Sequence, residues 1–211
     1  MEPKLIAFDL NKTLIRENSW LNLNIAMGVS TAEDDILVRW SQQRIITDAM
    51  GQQILCEIYK QRGDISYQAI WKILSNYTYV PHAKKVVALL QSRGYSVALV
   101  SGAMDILVKA VAEELDIKHW RAANTFIFNE FDMLQRIDSV KNDAHYKAEM
   151  LLELCNELQC TPKECLVVGD GANDIELFKL TGNGVTFTGS NIKHEARYII
   201  TGLDEILDIV V

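Results

Sequence analysis

Four short stretches of the chain hold side chains able to do chemistry. The first is Phe8-Asp9-Leu10-Asn11-Lys12-Thr13, where an apolar run that begins at Leu5 stops at a carboxylate. A carboxylate in that position can be a nucleophile, a metal ligand, or both. The second is Ser101-Gly102, which closes the apolar run 95–100. The third is Lys147, near the start of a helical pattern, and the fourth is Gly169-Asp170-Gly171-Ala172-Asn173-Asp174, directly after Cys165-Leu166-Val167-Val168. Each has an ordinary alternative. Asp, Asn and Thr after a strand make turns, Ser101 and Asp174 can cap helices, and a helix lysine is commonly solvated.

The elements that must position these groups can be read from the apolar pattern. Residues 5–8 read as a strand buried on both faces, which puts Asp9 at its carboxyl end, where open α/β sheets bind ligands. From about 18 to 78 the pattern is helical. Ile36, Leu37 and Trp40 share one helix face. Thr47 can cap a second helix carrying Met50, Ile54, Leu55, Ile58 and Tyr59, which Gly63 ends. Tyr67, Ile70, Trp71 and Leu74 show the spacing of a third. Trp20, Trp40 and Trp71 read either as core or as the wall of a pocket.

Beyond Pro81 the pattern alternates. It predicts a helix over 82–93, a strand over 95–100 ended by Ser101-Gly102, and a helix carrying Ile106, Leu107, Ala110, Val111 and Leu115. A strand over 122–128 and a polar excursion at 129–132, suited to a hairpin tip, come next. A helix over 145–158, a strand over 165–168, a helix over 174–180, a strand over 184–188 and a helix over 203–210 complete the chain. Such alternation implies an α/β fold, with a doubly wound, mainly parallel Rossmann-like sheet and right-handed crossovers. A core of 1–17 and 79–211 would then carry a helical cap of 18–78, inserted after the first strand. In a parallel sheet, the strand ends at Asp9, Ser101 and Asp170 point the same way and converge on one site.

Composition bounds the partners. The chain has 211 residues, 49% hydrophobic and 23% charged, with a formal net charge of −7. That suits a globular protein and argues against nucleic acid, which needs clustered Lys and Arg. A small phosphorylated metabolite remains compatible if a metal ion and local cations handle its charge. The start, Met-Glu-Pro-Lys, lacks a basic segment followed by a long apolar one, and no run is long enough to span a membrane, so a cytoplasmic location without membrane contact is expected. Cys155, Cys160 and Cys165 lie five apart rather than in a Cys-x-x-Cys spacing, and with Cys56 are expected to be reduced, partly buried thiols. The scattered histidines suggest no chemistry. Monomer and homodimer are both compatible with these features.

In their order and context, Phe8-Asp9-Leu10-Asn11-Lys12-Thr13, Val100-Ser101-Gly102, Lys147 and Gly169-Asp170-Gly171-Ala172-Asn173-Asp174 resemble the four motifs of the haloacid dehalogenase superfamily. The helical stretch after the first motif narrows the resemblance to its phosphoserine-phosphatase-like branch, over essentially the whole chain. It implies Mg²⁺-dependent hydrolysis of a phosphomonoester, with Asp9 as nucleophile and an aspartyl-phosphate intermediate. It further implies Mg²⁺ ligation by Asp9, the Asn11 main-chain carbonyl and Asp170, with Asp174 orienting a water or a ligand from behind. Ser101 and the Gly102 amide would hold phosphate oxygens, Lys147 would neutralise charge (Lys141 is the fallback), Thr13 would donate near the phosphate, and Asn173 would contact substrate.

One position departs from the family. Its phosphatases carry a second aspartate two residues after the nucleophile, as general acid and base; here that residue is Asn11, and an amide cannot exchange a proton usefully near neutral pH. Asn11 is compatible with an introduced change that traps substrate, with a natural slow phosphatase, or with a phosphate-ligand binder or phosphorylatable switch. Phosphoserine phosphatases also grip their amino acid with an acidic residue soon after the first motif and an arginine in the second cap helix. The nearest positions here hold Glu17 and Asn18, and the helix from Thr47 has no arginine until its end. Arg16, Glu17, Arg39 and Arg44 are the charged candidates to meet a polar leaving group.

Overall fold

The structure, a computed structural model, describes residues 2–140 and 143–210, with side chains left out at 143 and 144. Among these residues a seven-stranded sheet has the order β4-β3-β2-β1-β5-β6-β7. The strands are β1 (Leu5–Phe8), β2 (Ser96–Met104), β3 (His119–Phe128), β4 (Leu134–Ser139), β5 (Cys165–Val168), β6 (Gly184–Phe187) and β7 (Tyr198–Ile200). All neighbours pair in parallel except β3 and β4. The chain builds outward from β1 through β2 to β3, then resumes on the other side of β1 with β5. The strand order therefore reverses at β1, and the cleft of a doubly wound sheet opens at its carboxyl end.

Strand alternation splits the apolar residues into two cores. Ile6 and Phe8 face α5 (Ala83–Ser92) and α6 (Asp105–Glu114), together with helices from the 19–74 stretch. Leu5 and Ala7 face α7 (Asp143–Glu157) and α8 (Ile175–Thr181). All four β1 side chains are fully buried, as a central parallel strand requires. A one-residue slip in its register would exchange the two faces and misplace Asp9.

Between β1 and α5 lie α1 (Ser19–Ala26), α2 (Thr31–Gln42), α3 (Asp48–Arg62) and α4 (Tyr67–Leu74). Thr47 accepts the Met50 N–H as the cap of α3, and Gly63 ends that helix. The chain leaves and re-enters the sheet through a paired neck: Arg16 N–H donates to Thr78 O, Val80 N–H to Leu14 O, and Thr78 N–H to the Glu17 carboxylate, all at 2.9 Å. A second attachment lies on the β3–β4 hairpin, where Tyr67 N–H donates to Asp132 O at 2.8 Å and Leu134 N–H to Ile65 O at 2.9 Å.

Several elements differ from the sequence expectation. Residues 129–132 are a hairpin tip, but its second arm, β4, and the short edge strand β7 are additions. The second strand does not stop at Ser101; it runs to Met104, with a register shift between the two, so that α6 starts three residues beyond Gly102. The apolar face on α2 is not a core face: α2 buries no residue, and Ile36 and Trp40 are exposed. Of Trp20, Trp40 and Trp71, the first lines the cleft, Trp71 packs against the core, and Trp40 does neither. The cysteines are free thiols, yet the fold draws Cys155, Cys160 and Cys165 together, with 3.3 Å between the Cys155 and Cys165 sulfurs. No helix among the described residues is long and apolar enough to cross a membrane.

One buried polar chain ties the inserted helices to each other. Tyr59 of α3, fully buried, donates its hydroxyl to Asn24 Oδ1 of α1, and Asn24 Nδ2 donates to Asp34 Oδ1 of α2 at 2.6 Å. Burial pushes the Tyr59 hydroxyl far above its ordinary pKa, so it stays a donor throughout the working range. Tyr59→Phe leaves the Asn24 oxygen buried and unsatisfied, which costs about 1–2 kcal/mol. Urea unfolding should show a midpoint lowered accordingly; an unchanged midpoint would mean that this chain of bonds contributes nothing.

Candidate active site

A cavity of about 430 Å³ opens at the carboxyl end of β1, between the sheet and the inserted helices. Asp9 is the first residue beyond β1. Its main-chain N–H donates to Val168 O at the end of β5, 2.9 Å away, which locks the two strand ends side by side. Asp170 follows β5 by two residues, so both acidic groups reach the cavity from adjacent strands, and Ser101 reaches it from β2 on the other flank. The expected convergence is thus realised at the strand where the order reverses, with Asp9 and Asp170 just beyond strand ends and Ser101 within β2, at its register shift.

Behind the cavity wall sits a buried ion network. Lys147 of α7 has no exposed surface, and its ammonium lies 2.8 Å from Asp9 Oδ1 and 2.8 Å from Asp174 Oδ1. Asp174 is equally buried. Its other oxygen accepts the Asp170 and Gly171 N–H groups, both at 3.1 Å. Its side chain makes no capping bond to α8, so the plain helix-cap role does not hold. With both oxygens engaged and no place on the cavity wall, Asp174 holds the Asp170 loop from behind. Gly169 is required for this: a Cβ there would stand 2.3 Å from the Asp174 carboxylate.

The electrostatics follow from crowding. Asp170 is pushed up to about 6, first by burial and then by the Asp9 and Asp174 carboxylates, with Lys12 and Lys147 opposing. Burial also raises Asp174, while Lys147 pulls it back towards the charged form. One oxygen from each of Asp9, Asp170 and Asp174 lies within 4.8 Å of the others. Three clustered carboxylate oxygens are the donors a hard divalent cation takes, and a carboxyl raised by like-charged neighbours marks a place where added positive charge is favourable.

The structure brings Asp9, Asn11, Ser101, Gly102, Asp170 and Asn173 together on the cavity wall. Lys147 and Asp174 stand directly behind it. Ser101 is 1% exposed and is no helix cap; its Oγ accepts the Ala103 N–H at 3.2 Å, and Met104 occupies the cap position of α6. Glu17 and Thr13 are not brought there. Glu17 is spent on the neck, and Thr13 is fully buried in the turn after β1, next to Lys12 with its left-handed backbone (φ 56°); the Thr13 hydroxyl is buried without a partner among the described residues. Arg16, Arg39 and Arg44 line no part of the cavity. Lys141 lies outside the described residues. Sequence reasoning missed Lys12, the cation on the wall beside Asp9, which its place next to Asn11 could have flagged. It also missed Asn124, whose place depends on β3 pairing with β2 and left no local signal.

Comparison with known proteins agrees with this geometry. A family model described as haloacid dehalogenase-like hydrolase matches residues 3–182. The phosphoserine phosphatase of Methanocaldococcus jannaschii is 27% identical over 199 residues, covering 92% of this chain and 90% of its own. That of Albidiferax ferrireducens is 29% identical over 218 residues, covering 98% and 89%. A phosphoserine phosphatase solved with substrate bound superposes with a TM-score of 0.82 at 25% identity, over 100% of both chains. One solved as a phospho-aspartyl intermediate analogue gives 0.81 at 25% identity, again over 100% of both. With its motifs gathered on and directly behind one cavity wall and a family match across most of its length, the chain belongs to the haloacid dehalogenase-like hydrolases, in the phosphoserine-phosphatase-like branch of phosphoric monoester hydrolases.

Proposed function

We propose that this protein hydrolyses a small phosphomonoester in two steps, through an aspartyl-phosphate on Asp9, and that it depends on Mg²⁺. The observation that carries this is the seat of Asp9: a carboxylate only 7% exposed, on the cavity wall, held 2.8 Å from the buried Lys147 ammonium. The Lys147 ammonium holds one Asp9 oxygen in place and opposes the charge of an arriving phosphate. Asp9 and Asp170 would hold the cation with the Asn11 main-chain carbonyl, and Asp174 would steady Asp170. Bound there, Mg²⁺ would neutralise phosphoryl oxygens that otherwise repel a carboxylate.

In the first step the free Asp9 oxygen attacks phosphorus and the bond to the ester oxygen breaks. Ser101 and the Gly102 amide hold the transferring phosphoryl oxygens from one side and Asn173 from the other. In the second step water attacks phosphorus, inorganic phosphate leaves, and the Asp9 carboxylate is restored. Asn11 can align the ester oxygen or the water but cannot supply or remove a proton. Both steps then rely on solvent, and esters with good leaving groups are favoured. A core of 1–17 and 79–211 with a cap of 18–78, a cytoplasmic location and a monomer or homodimer fit this role. Nothing favours a non-hydrolytic binder or switch over it.

Two substitutions test the assignment. Asn11→Asp should raise hydrolysis of unactivated phosphomonoesters by about 10²–10⁴, read as phosphate release with Mg²⁺, while Asp9→Ala should abolish covalent phosphate uptake from an activated donor. An unchanged Asn11→Asp rate would refute the acid/base role of that position. Lys147→Met strands two buried carboxylates, so its denaturation midpoint should report a loss of about 3–5 kcal/mol, with phosphoryl transfer lost as well. Stability near that of the parent would mean that Lys147 is not the counter-charge.

A further inference from the structure

The part of the cavity walled by the inserted helices differs in chemistry from its phosphate end. Lys12 acts on Asp170 and belongs to the phosphate end. Across from it stand Asp34 of α2, Gln52 of α3, Trp20 of α1 and Asn124 of β3. Several donors there are spent on the protein itself. Trp20 Nε1 and Asn124 Nδ2 both donate to Gly102 O, at 3.0 and 2.8 Å, and Asn24 Nδ2 donates to Asp34. Two buried amide acceptors there are left without a partner among the described residues. Asn124 is 4% exposed, and its Oδ1 has no partner among the described residues; Gln52 Oε1 is likewise buried without one. The Asp34 carboxylate has no ion-pair partner among the described residues and accepts a hydrogen bond from the neutral Asn24 amide.

Taking the phosphatase assignment as given, we propose that the leaving group this cavity accepts is a small amino alcohol: an alcohol with an ammonium group and no carboxylate. An ammonium has three donors and no acceptor, which matches two unsatisfied amide oxygens and a carboxylate. Asp34 supplies the counter-charge, and the Trp20 indole, held by its bond to Gly102, stands ready beside the cation. A leaving group bearing a carboxylate would bring acceptors to acceptors and a negative charge to Asp34, which penalises it twice. Asp34 is the residue that sets this specificity, and the Tyr59–Asn24 chain fixes its place.

O-Phosphoethanolamine and phosphoserine differ only by the carboxylate, and glycerol phosphate is a neutral control. Calorimetric titration of the intact Asp9→Asn protein, which cannot turn over, should give phosphoethanolamine at least about tenfold tighter binding than either of the others with Mg²⁺ present. Asp34→Asn should shrink that preference by about tenfold. Phosphoserine or glycerol phosphate binding as well as phosphoethanolamine overturns the proposal, and so does a preference that Asp34→Asn leaves intact. Turnover separates the two claims. A protein that hydrolyses phosphoserine best keeps the phosphatase assignment and loses this one. A protein that binds phosphoethanolamine preferentially but releases phosphate from no ester, p-nitrophenyl phosphate included, keeps this one and loses the other.

Discussion

The structure depends on one buried ammonium. Lys147 has no exposed surface and sits between two carboxylates that come from opposite ends of the sequence, Asp9 and Asp174. An unpaired ammonium at that depth would be prohibitively costly, and so would two unpaired carboxylates, which makes the three mutually obligatory. The network also decides geometry. Asp174 can hold the Asp170 loop only while Lys147 takes its other oxygen, and Asp9 keeps one oxygen turned inward for the same reason. Three carboxylates face two ammoniums, Lys12 and Lys147, at this end of the cavity. A phosphate dianion makes that deficit worse, and a divalent cation would offset the added charge.

The rest of the fold serves to hold that cluster at one end of the sheet. Reversal of strand order at β1 places Asp9 between β2 and β5, so the loop after β5 delivers Asp170 and the irregular stretch of β2 delivers Ser101 to the same opening. The inserted helices roof the opening and are fastened at two places, the neck and the β3–β4 hairpin. A roof fastened twice moves less freely than a lid on one hinge. The neck residues Arg16, Glu17, Thr78 and Val80 are where backbone torsions would have to change, while contacts such as the Tyr67–Phe128 ring pair, with centroids 5.2 Å apart, limit the excursion.

What the sequence made legible follows from how local its causes are. Buried parallel strands are continuous apolar runs, so β1, β2 and β5 could be read directly, as could the Thr47 cap and the Gly63 stop. Strands β4 and β7 could not. β4 owes its existence to pairing with β3 and to cover from the inserted helices, and β7 is a three-residue edge. The face of α2 was misread because periodicity reports amphipathicity without saying what lies opposite; Leu37 meets the cavity while Ile36 and Trp40 meet solvent. Among the candidate site residues, Asp9 and Asp170, which follow strand ends, lie on the cavity wall. Glu17 was misplaced, because proximity in sequence to Asp9 does not survive the turn into the neck.

Asn11 shows how chemistry and architecture separate at one position. Its Oδ1 accepts the Ser19 N–H at 3.1 Å and so fastens the start of α1 to the loop after β1. An aspartate oxygen could make the same bond, so an amide and a carboxylate are interchangeable for the fold. They are not interchangeable for proton transfer. With Oδ1 committed to a main-chain donor, the group left to face the cavity is the Nδ2 amide, which donates hydrogen bonds and never gives up a proton. That donor would bind an ester or phosphoryl oxygen well, which lowers the free energy of the bound state without helping the leaving group depart. Under the proposed mechanism, the exchange of one oxygen for one nitrogen therefore shifts this site from turnover towards retention, while leaving every structural contact in place.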